Sequence, residues 1–446
     1  MKNTQTIAAI PMKSIGPIKI IGQVLEAEVK VPLATFESPL WPSTNRGAMV
    51  SRLCDGIRVT LVNDCMTRSV LVEAPNAEYA HQVITALKGS QVESELKQVV
   101  SSTSRFTQLK HWHSQIVGKL LFIRFSMSTA DAAGHNMATI AAEALLGWIL
   151  DHYPKLSYVS ISGNYCSDKK ATAVNGILGR GKYVVAEIQI PKEVCQRYLK
   201  TTPEKIVQIN IKKNLIGTII AGGIRSANAH FANMLLAFYL ATGQDAANII
   251  EGSQGVVHAE LVGEDLYFSV TLPNIIIGTV GNGKAFDFVR QNLQMMGCLE
   301  STDLELTDST DLVGSTEFPA LKSADSAEIK SDMKSRKPGQ NAARLAAIAA
   351  ATVLCGELSL LAAQTCPGEL MKSHLRLERL EKVRKSQEAQ EAQKIQAAQE
   401  AQALQEVEGT QKVQRQEIRG AQEQAVQVLE GLQEVEATAQ GVKEPC

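Results

Sequence analysis

The segment Ser162-Gly-Asn-Tyr-Cys-Ser-Asp168-Lys169-Lys170 sets three consecutive charges shortly after an apolar stretch with strand character. Such a run is commonly a solvated turn. A lysine at a strand exit, flanked by a carboxylate, is also what is needed to hold a cation against an oxygen that gains negative charge during a reaction. The residues by themselves leave both readings open. Asn45, Arg46 and Lys213, and the later Lys372-Ser373-His374, raise the same question. A lone histidine is more often structural than catalytic.

Three further motifs carry less. Gly176-Ile-Leu-Gly-Arg-Gly181-Lys182-Tyr183 comes within one residue of a phosphate-binding loop. Tyr183 stands where a Ser or Thr hydroxyl would hold magnesium, which argues against nucleoside triphosphate hydrolysis. Gly278-Thr-Val-Gly281-Asn-Gly283 resembles part of a dinucleotide fingerprint at the wrong spacing. His111-Trp-His113 could put two imidazoles on one side of a strand, but no third ligand is evident and no metal is expected.

The elements that must position these groups read as mixed α/β. Lys119–Ser126 is strand-like, His135–Leu150 helical and Ser157–Ser162 strand-like, which together suggest a crossover unit. The joint entering that helix, STADAAGHNM, is small and polar, so free backbone N–H groups near Gly134 and Asn136 could receive a phosphate. Phe231, Met234, Leu235, Phe238 and Tyr239 follow a helical rhythm, predicting a core-facing helix over Asn228–Ala241 that stops at Gly243, with Asp245 just beyond. Val256–Val262 and Leu266–Leu272, separated by Gly-Glu-Asp, predict a β-hairpin. Ala342–Ala363 approaches membrane length, but Arg344 and Glu357 interrupt it and a buried helix is expected.

Composition bounds the rest. A chain of 446 residues with 45% hydrophobic content is long enough for two or more domains. Lys and Arg (45) nearly balance Asp and Glu (46), so an anion site must be built from a few placed residues, and bulk charge does not suit a nucleic-acid binder. Eight cysteines contain no C-x-x-C pair, and the N-terminal stretch lacks a secretory pattern, so a reduced cytoplasmic protein without a membrane segment is expected. Ser301–Gly339 reads as an exposed connection. Residues 381–446 hold 15 glutamines and no aromatic residue, which cannot make a globular core. Within them, glutamines from Gln387 to Gln405 recur every three residues and give no fixed apolar face. From Ile418 through Ala421, Ala425, Val428, Leu432, Val435 and Ala439 the spacing becomes a heptad seam. Interior Gly420 and Gly431 leave that seam open between a weak coiled coil and a frayed tail.

Taken in order, PSTNRG (Pro42–Gly47), TSRF (Thr103–Phe106), DAAGHNM (Asp131–Met137), SGNYCSDKKATAVNGILGRGK (Ser162–Lys182), NAHFAN (Asn228–Asn233), GQDAAN (Gly243–Asn248), GTVGNG (Gly278–Gly283) and GELSLLAA followed by KSH (Gly356–His374) resemble the 3-hydroxy-3-methylglutaryl-CoA reductase family. The likeness covers roughly residues 8 to 380 and is nearer the class I branch. It implies a mixed α/β fold in three parts. A large CoA- and substrate-binding domain would take residues 1–69 and 161–375, a ferredoxin-like NADP-binding domain would be inserted at 70–160, and a helical or disordered tail would follow at 376–446.

The resemblance also implies chemistry: reduction of 3-hydroxy-3-methylglutaryl-CoA to mevalonate and CoA, with two NADPH per turnover and no metal. Lys169 matches the catalytic lysine, Glu37 the glutamate that is buried and protonated to donate to mevaldehyde, Asp245 the aspartate linking the two, and His374 the histidine that protonates the CoA thiolate. Arg68, Ser162, Asn164, Lys170, Lys213 and Asn233 match residues around the hydroxymethylglutaryl group, and Asn45 and Arg46 match CoA contacts. Ser104 and Arg105 match the pair that faces the 2′-phosphate, while Asp131, Ala133, Gly134, His135, Asn136, Gly281 and Gly283 match the dinucleotide loops. A homodimer or tetramer with shared active sites is implied. The chain departs from the family at Ser38-Pro39, Trp41-Pro42 and Arg225-Ser226, which bears on the CoA pocket, and carries Leu380 where animal enzymes have a phosphorylated serine. NAD-linked mevalonate oxidation, or an inactive scaffold acting through the tail, are the competing readings.

Overall fold

The seventeen-residue strand β3 (Ile57–Glu73) organises the molecule, because its two halves belong to different sheets. The computed structural model describes residues 7–299, 337–369, 371, 372, 375, 379, 386, 387, 390, 391, 393–396, 416, 418–428 and 431. Residues 1–373 make one unit and 374–446 a second.

Along its first half β3 runs parallel to β1 (Met12–Ile21), which pairs antiparallel with β2 (Ala27–Ala34). On its other side lies β7 (Gly181–Ile190), then β9 (Asp265–Ile275) and β8 (Val256–Val262), all antiparallel. Helices α1 (Leu40–Leu53), α6 (Phe231–Ala241) and α8 (Gln340–Gln364) cover this sheet. The core between them holds Ile18, Val31, Leu33, Phe231, Leu235, Phe268, Ile348 and Leu354. Helix α8 has the length and apolarity of a membrane span, yet nearly all of it is buried in this core, as expected for the Ala342–Ala363 run.

The second half of β3 pairs with β5 (Leu120–Ser128) and β6 (Ser157–Ser160), antiparallel to both. Strand β4 (Gln108–Val117) adds to the far side of β5. With α2 (Ala77–Leu87) and α3 (Ser90–Thr103) together making the first crossover and α4 (His135–His152) the second, the order is β-α-β-β-α-β and the sheet reads β4-β5-β3-β6. This is the ferredoxin-like pattern, in which β5 and β6 are parallel to each other with β3 between them. Ala138, Ala141, Ala142, Leu145, Leu146 and Ile149 recur at helical spacing on one side of α4 and are buried. They join Val70, Val72, Leu96, Ile123 and Phe125 in a second apolar cluster, distinct from the first.

Strands β5 and β9 and helix α4 run past the expected Ser126, Leu272 and Leu150 to Ser128, Ile275 and His152, and two other elements fall short of the sequence reading. The helix expected from Asn228 begins at Phe231, because the three residues before it are held by other bonds. Asn228 accepts from Phe231 N–H at 3.2 Å and donates to Ser253 and Gly255, while Glu357 accepts from the N–H groups of Ala229 and His230. The strand expected to reach Ser162 stops at Ser160, whose hydroxyl bonds the backbone of Ser162 and turns the chain. The hairpin stands as expected. Residues 301–336 lie outside the described residues. In the tail, residues 393–396 and 418–428 are helical, and Leu432, Val435 and Ala439 of the heptad seam lie outside the described residues.

Candidate active site

The Asp168–Lys169 turn is held from behind by buried charge. Arg180, fully buried, sits with its guanidinium 3.0 Å from Asp168 Oδ1 and donates to Glu251 Oε1 at 2.8 Å. Glu251, equally buried, also accepts from Lys169 N–H at 3.1 Å and from Asn248 at 2.9 Å. Asn175 donates to Ser167 O, and the buried Arg124 donates to Gly179 O. These bonds fix a backbone that would otherwise relax, since Asn164, Ser167 and Lys169 all have φ near +55°. The segment first read as a solvated turn or an oxyanion site is therefore a braced turn that projects one ammonium.

That ammonium meets Asp245 at 2.8 Å. Asp245 caps the turn after α6, accepting from Ala247 N–H at 3.1 Å, and follows Gly243, whose φ of 61° ends the helix. The hydrogen bond to Asp245, acting against desolvation, holds the Lys169 ammonium above its ordinary range. Desolvation pushes the Asp245 carboxyl up, but the Lys169 and Ala247 bonds and the nearby positive charge outweigh it and leave it low. His135 Nε2 lies 3.6 Å from Asp168 Oδ1. Burial and the Arg180 charge keep this imidazole below its usual range despite that carboxylate.

A cleft of about 570 Å³ opens between these groups and two glycine-rich segments. Gly134 starts α4 with φ 89°, and a Cβ there would stand 2.4 Å from Thr129 Oγ1. No side chain caps this helix, and Gly134, His135 and Asn136 line the cleft. Gly278 lies so close to Ala132 and Ala133 that a Cβ would be 2.4 Å from Ala133 N. Ala132 and Val280 form a β-bridge, and Gln244 clamps Gly278 through both its N–H and its C=O at 3.0 Å. Tight turns around an uncapped helix start suit the phosphates of a dinucleotide.

The expected residues separate into groups. Lys169, Asp245, Arg68, Ala133, Gly134, His135, Asn136 and Gly281 line the cleft, and Gly283 closes against Gly243 at its edge. Asp131 is committed elsewhere: its two carboxylate oxygens accept from Gly339 and Ala342 at 2.8 and 2.9 Å, capping α8. Ser104 accepts from Phe106 N–H and the Arg105 guanidinium lies 4.6 Å over the Phe106 ring, away from the cleft lining. Glu37 requires a correction: it is exposed rather than buried, because it sits in the loop between β2 and α1, and Asn233 donates to it at 3.0 Å. Lys213 donates to Asn214, and desolvation lowers its ammonium despite the charge of Glu357. Asn45 accepts from Gly16, Arg46 donates to Ser359, Ser162 faces Cys166, and Lys170 donates to Asp168 O. His374 lies outside the described residues. His113 bonds Tyr165 at 2.6 Å.

Sequence reasoning missed Arg180, Glu251, Gln244 and Lys284. Gln244 adjoins Asp245 and was within reach; Glu251 is an isolated acid among apolar neighbours and gave no signal.

An ammonium–carboxylate pair at the edge of a cleft built from glycine-rich turns and an uncapped helix start, on a mixed α/β fold, is an arrangement that suits an enzyme using a dinucleotide. The sequence matches the hydroxymethylglutaryl-coenzyme A reductase family over residues 2–379, and the chain belongs to that family. It is 40% identical over 380 residues to the 3-hydroxy-3-methylglutaryl-coenzyme A reductase of Pyrococcus abyssi, covering 85% of this chain and 84% of that one. It is 39% identical over 371 residues to the reductase of Aeropyrum pernix, covering 83% and 79%. The fold is similar to the class II reductase of Streptococcus pneumoniae bound to NADPH in open conformations, with a TM-score of 0.59 and 17% identity over 82% of this chain and 88% of that chain.

Proposed function

We propose that the cleft reduces the thioester of 3-hydroxy-3-methylglutaryl-CoA to the primary alcohol of mevalonate, consuming two NADPH and two protons and releasing CoA. The observation that carries this is the Lys169–Asp245 pair at 2.8 Å beside the glycine-lined cleft. Bound NADPH supplies the hydride, once for the thioester and once for the aldehyde.

Lys169 holds the carbonyl oxygen as negative charge develops. Its ammonium is suited to this because Asp245 keeps it charged across the neutral range. Glu37 donates the proton to the mevaldehyde oxygen, positioned by Asn233. Its exposure in the single chain supports closure of the site by a second subunit, in a homodimer or tetramer with shared active sites. His374 protonates the CoA thiolate, an ordinary task for imidazolium since a thiol titrates near about 8.5.

Arg68, Ser162, Asn164, Lys170, Lys213 and Asn233 take the hydroxymethylglutaryl group, and Asn45 and Arg46 the CoA. Ser104 and Arg105 take the 2′-phosphate, which favours NADP over NAD-linked oxidation. The second apolar cluster, spanning Met66 to Leu156 with Ile276, supports reading residues 70–160 as the NADP-binding domain, with 1–69 and 161–375 as the large domain and 376–446 as the tail. Burial of α8 supports a soluble protein.

The test is stoichiometry and cofactor preference with purified protein. Two NADPH oxidised per CoA released, with NADPH preferred to NADH, is expected. Absence of NADPH oxidation with the thioester would overturn the assignment.

A further inference from the structure

Lys284 lines the same cleft as Gly134, His135, Asn136 and Gly281, and no role so far uses it. It directly follows the Gly278–Gly283 turn. Its ammonium donates to Gly243 O, a neutral carbonyl. Among the described residues no carboxylate lies within 4.0 Å of it, whereas Lys169, Arg180 and Lys182 each have one. Burial alone moves it, down to about 8, with no neighbouring charge contributing. Beside Lys169 and Arg68 the cleft thus contains a third cation, and unlike Lys169 it has no carboxylate against it among the described residues.

A desolvated ammonium without a counter-charge is costly unless an anion completes it. The substrate-facing pair already has its own partner. The 2′-phosphate is assigned to Ser104 and Arg105, which do not line this cleft. What remains is the anion that must lie beside the glycine turns and the uncapped start of α4. We propose that Lys284 is a cofactor-binding residue that pairs with the pyrophosphate of the dinucleotide. This rests on the reductase reading of the cleft. Gly243 O orients the ammonium, the α4 N–H groups face the same anion, and the charge of Lys284 supplies what a bare helix start lacks.

The test compares Lys284→Gln, which keeps a donor for Gly243 O without the charge, with Lys284→Arg. Dissociation constants for NADPH and NADH are measured by quenching of protein fluorescence, and the KM for 3-hydroxy-3-methylglutaryl-CoA by turnover. Lys284→Gln is expected to weaken NADPH and NADH by the same factor, roughly 10- to 100-fold for a lost charge-assisted contact, with the thioester KM unchanged. Lys284→Arg stays within a few-fold of the parent. An unchanged NADPH constant in Lys284→Gln overturns the proposal. So does weakening of NADPH alone, which assigns the lysine to the 2′-phosphate, or a raised thioester KM alone, which assigns it to the substrate. Failure of the parent protein to bind either dinucleotide would sink the reductase reading instead, so the two failures are separable.

Discussion

Glu251→Gln tests whether the buried brace, rather than the exposed pair, sets the position of Lys169, the proposed catalytic lysine. One carboxylate oxygen of Glu251 receives Arg180 at 2.8 Å, Asn248 at 2.9 Å and the Lys169 N–H at 3.1 Å. Lys169 has φ 54°, a conformation that costs a non-glycine residue about 1–2 kcal/mol. A hydrogen bond to a charged acceptor returns about 1.5–3 kcal/mol, against about 0.5–1.5 kcal/mol for a neutral one. Glutamine keeps the shape and an acceptor oxygen but removes the charge, so the restraint drops by about 1–2 kcal/mol and becomes comparable with the strain it opposes. The turn then leaves its productive geometry for much of the time. A loss of 1–2 kcal/mol corresponds to roughly a 5- to 30-fold fall in kcat. NADPH binding stoichiometry counts folded enzyme, and kcat per bound cofactor is measured with saturating thioester. Wild-type kcat per folded site in Glu251→Gln would refute the bracing argument, as would a loss that disappears once unfolded protein is subtracted. The harsher Glu251→Ala leaves Arg180 without its fully buried partner and should cost about 3–5 kcal/mol of stability, read by urea denaturation.

Lys169→Ala should abolish NADPH oxidation with the thioester while leaving the chain folded, checked by spectrophotometry alongside circular dichroism. His374→Gln should lose thioester reduction and keep reduction of free mevaldehyde; loss of both activities contradicts its role at the thiolate. The Lys169–Asp245 pair also has a pH signature. Asp245 is depressed, so its contribution to stability is full above the ordinary carboxylate value of about 3.9 and is lost as pH falls through the lower folded value. Lys169 is elevated, so its contribution is full below about 10.4 and is lost as pH rises through the higher folded value. The stability difference between the parent and Asp245→Asn should therefore be flat across neutrality and shrink at both extremes, in denaturation curves taken from pH 3 to 11. Gly47→Ala puts a Cβ 2.2 Å from Cys355 O where α1 crosses α8, and overpacking against backbone should cost about 1–3 kcal/mol in the same assay.

Much of this was legible in the residues. The rhythm of Phe231, Met234, Leu235 and Phe238 marked a core-facing helix, and the turn around Gly263 marked the β8–β9 hairpin, because periodicity and turn chemistry are local properties. The helix start near Gly134 was visible as a phosphate-ready joint for the same reason. Motif order then pointed to the lysine, aspartate and glycine turns proposed to act in catalysis and cofactor binding. What sequence could not supply was the commitment of each polar group. Asp131 stands in a cofactor motif, yet its carboxylate is spent on the first turn of α8, more than 200 positions away. Glu37 required burial for its expected role and is exposed in the single chain.

The sequence by itself determined which residue types stand at which spacing, and so the class of chemistry, the family and the core-facing helices. Only the tertiary structure decided that Arg180 and Glu251 form the buried ion pair behind Lys169, and that Lys284 sits in the cleft with no carboxylate beside it among the described residues. The reason is physical: the free energy of a charge depends on what surrounds it, and those surroundings come from strands and helices distant in sequence.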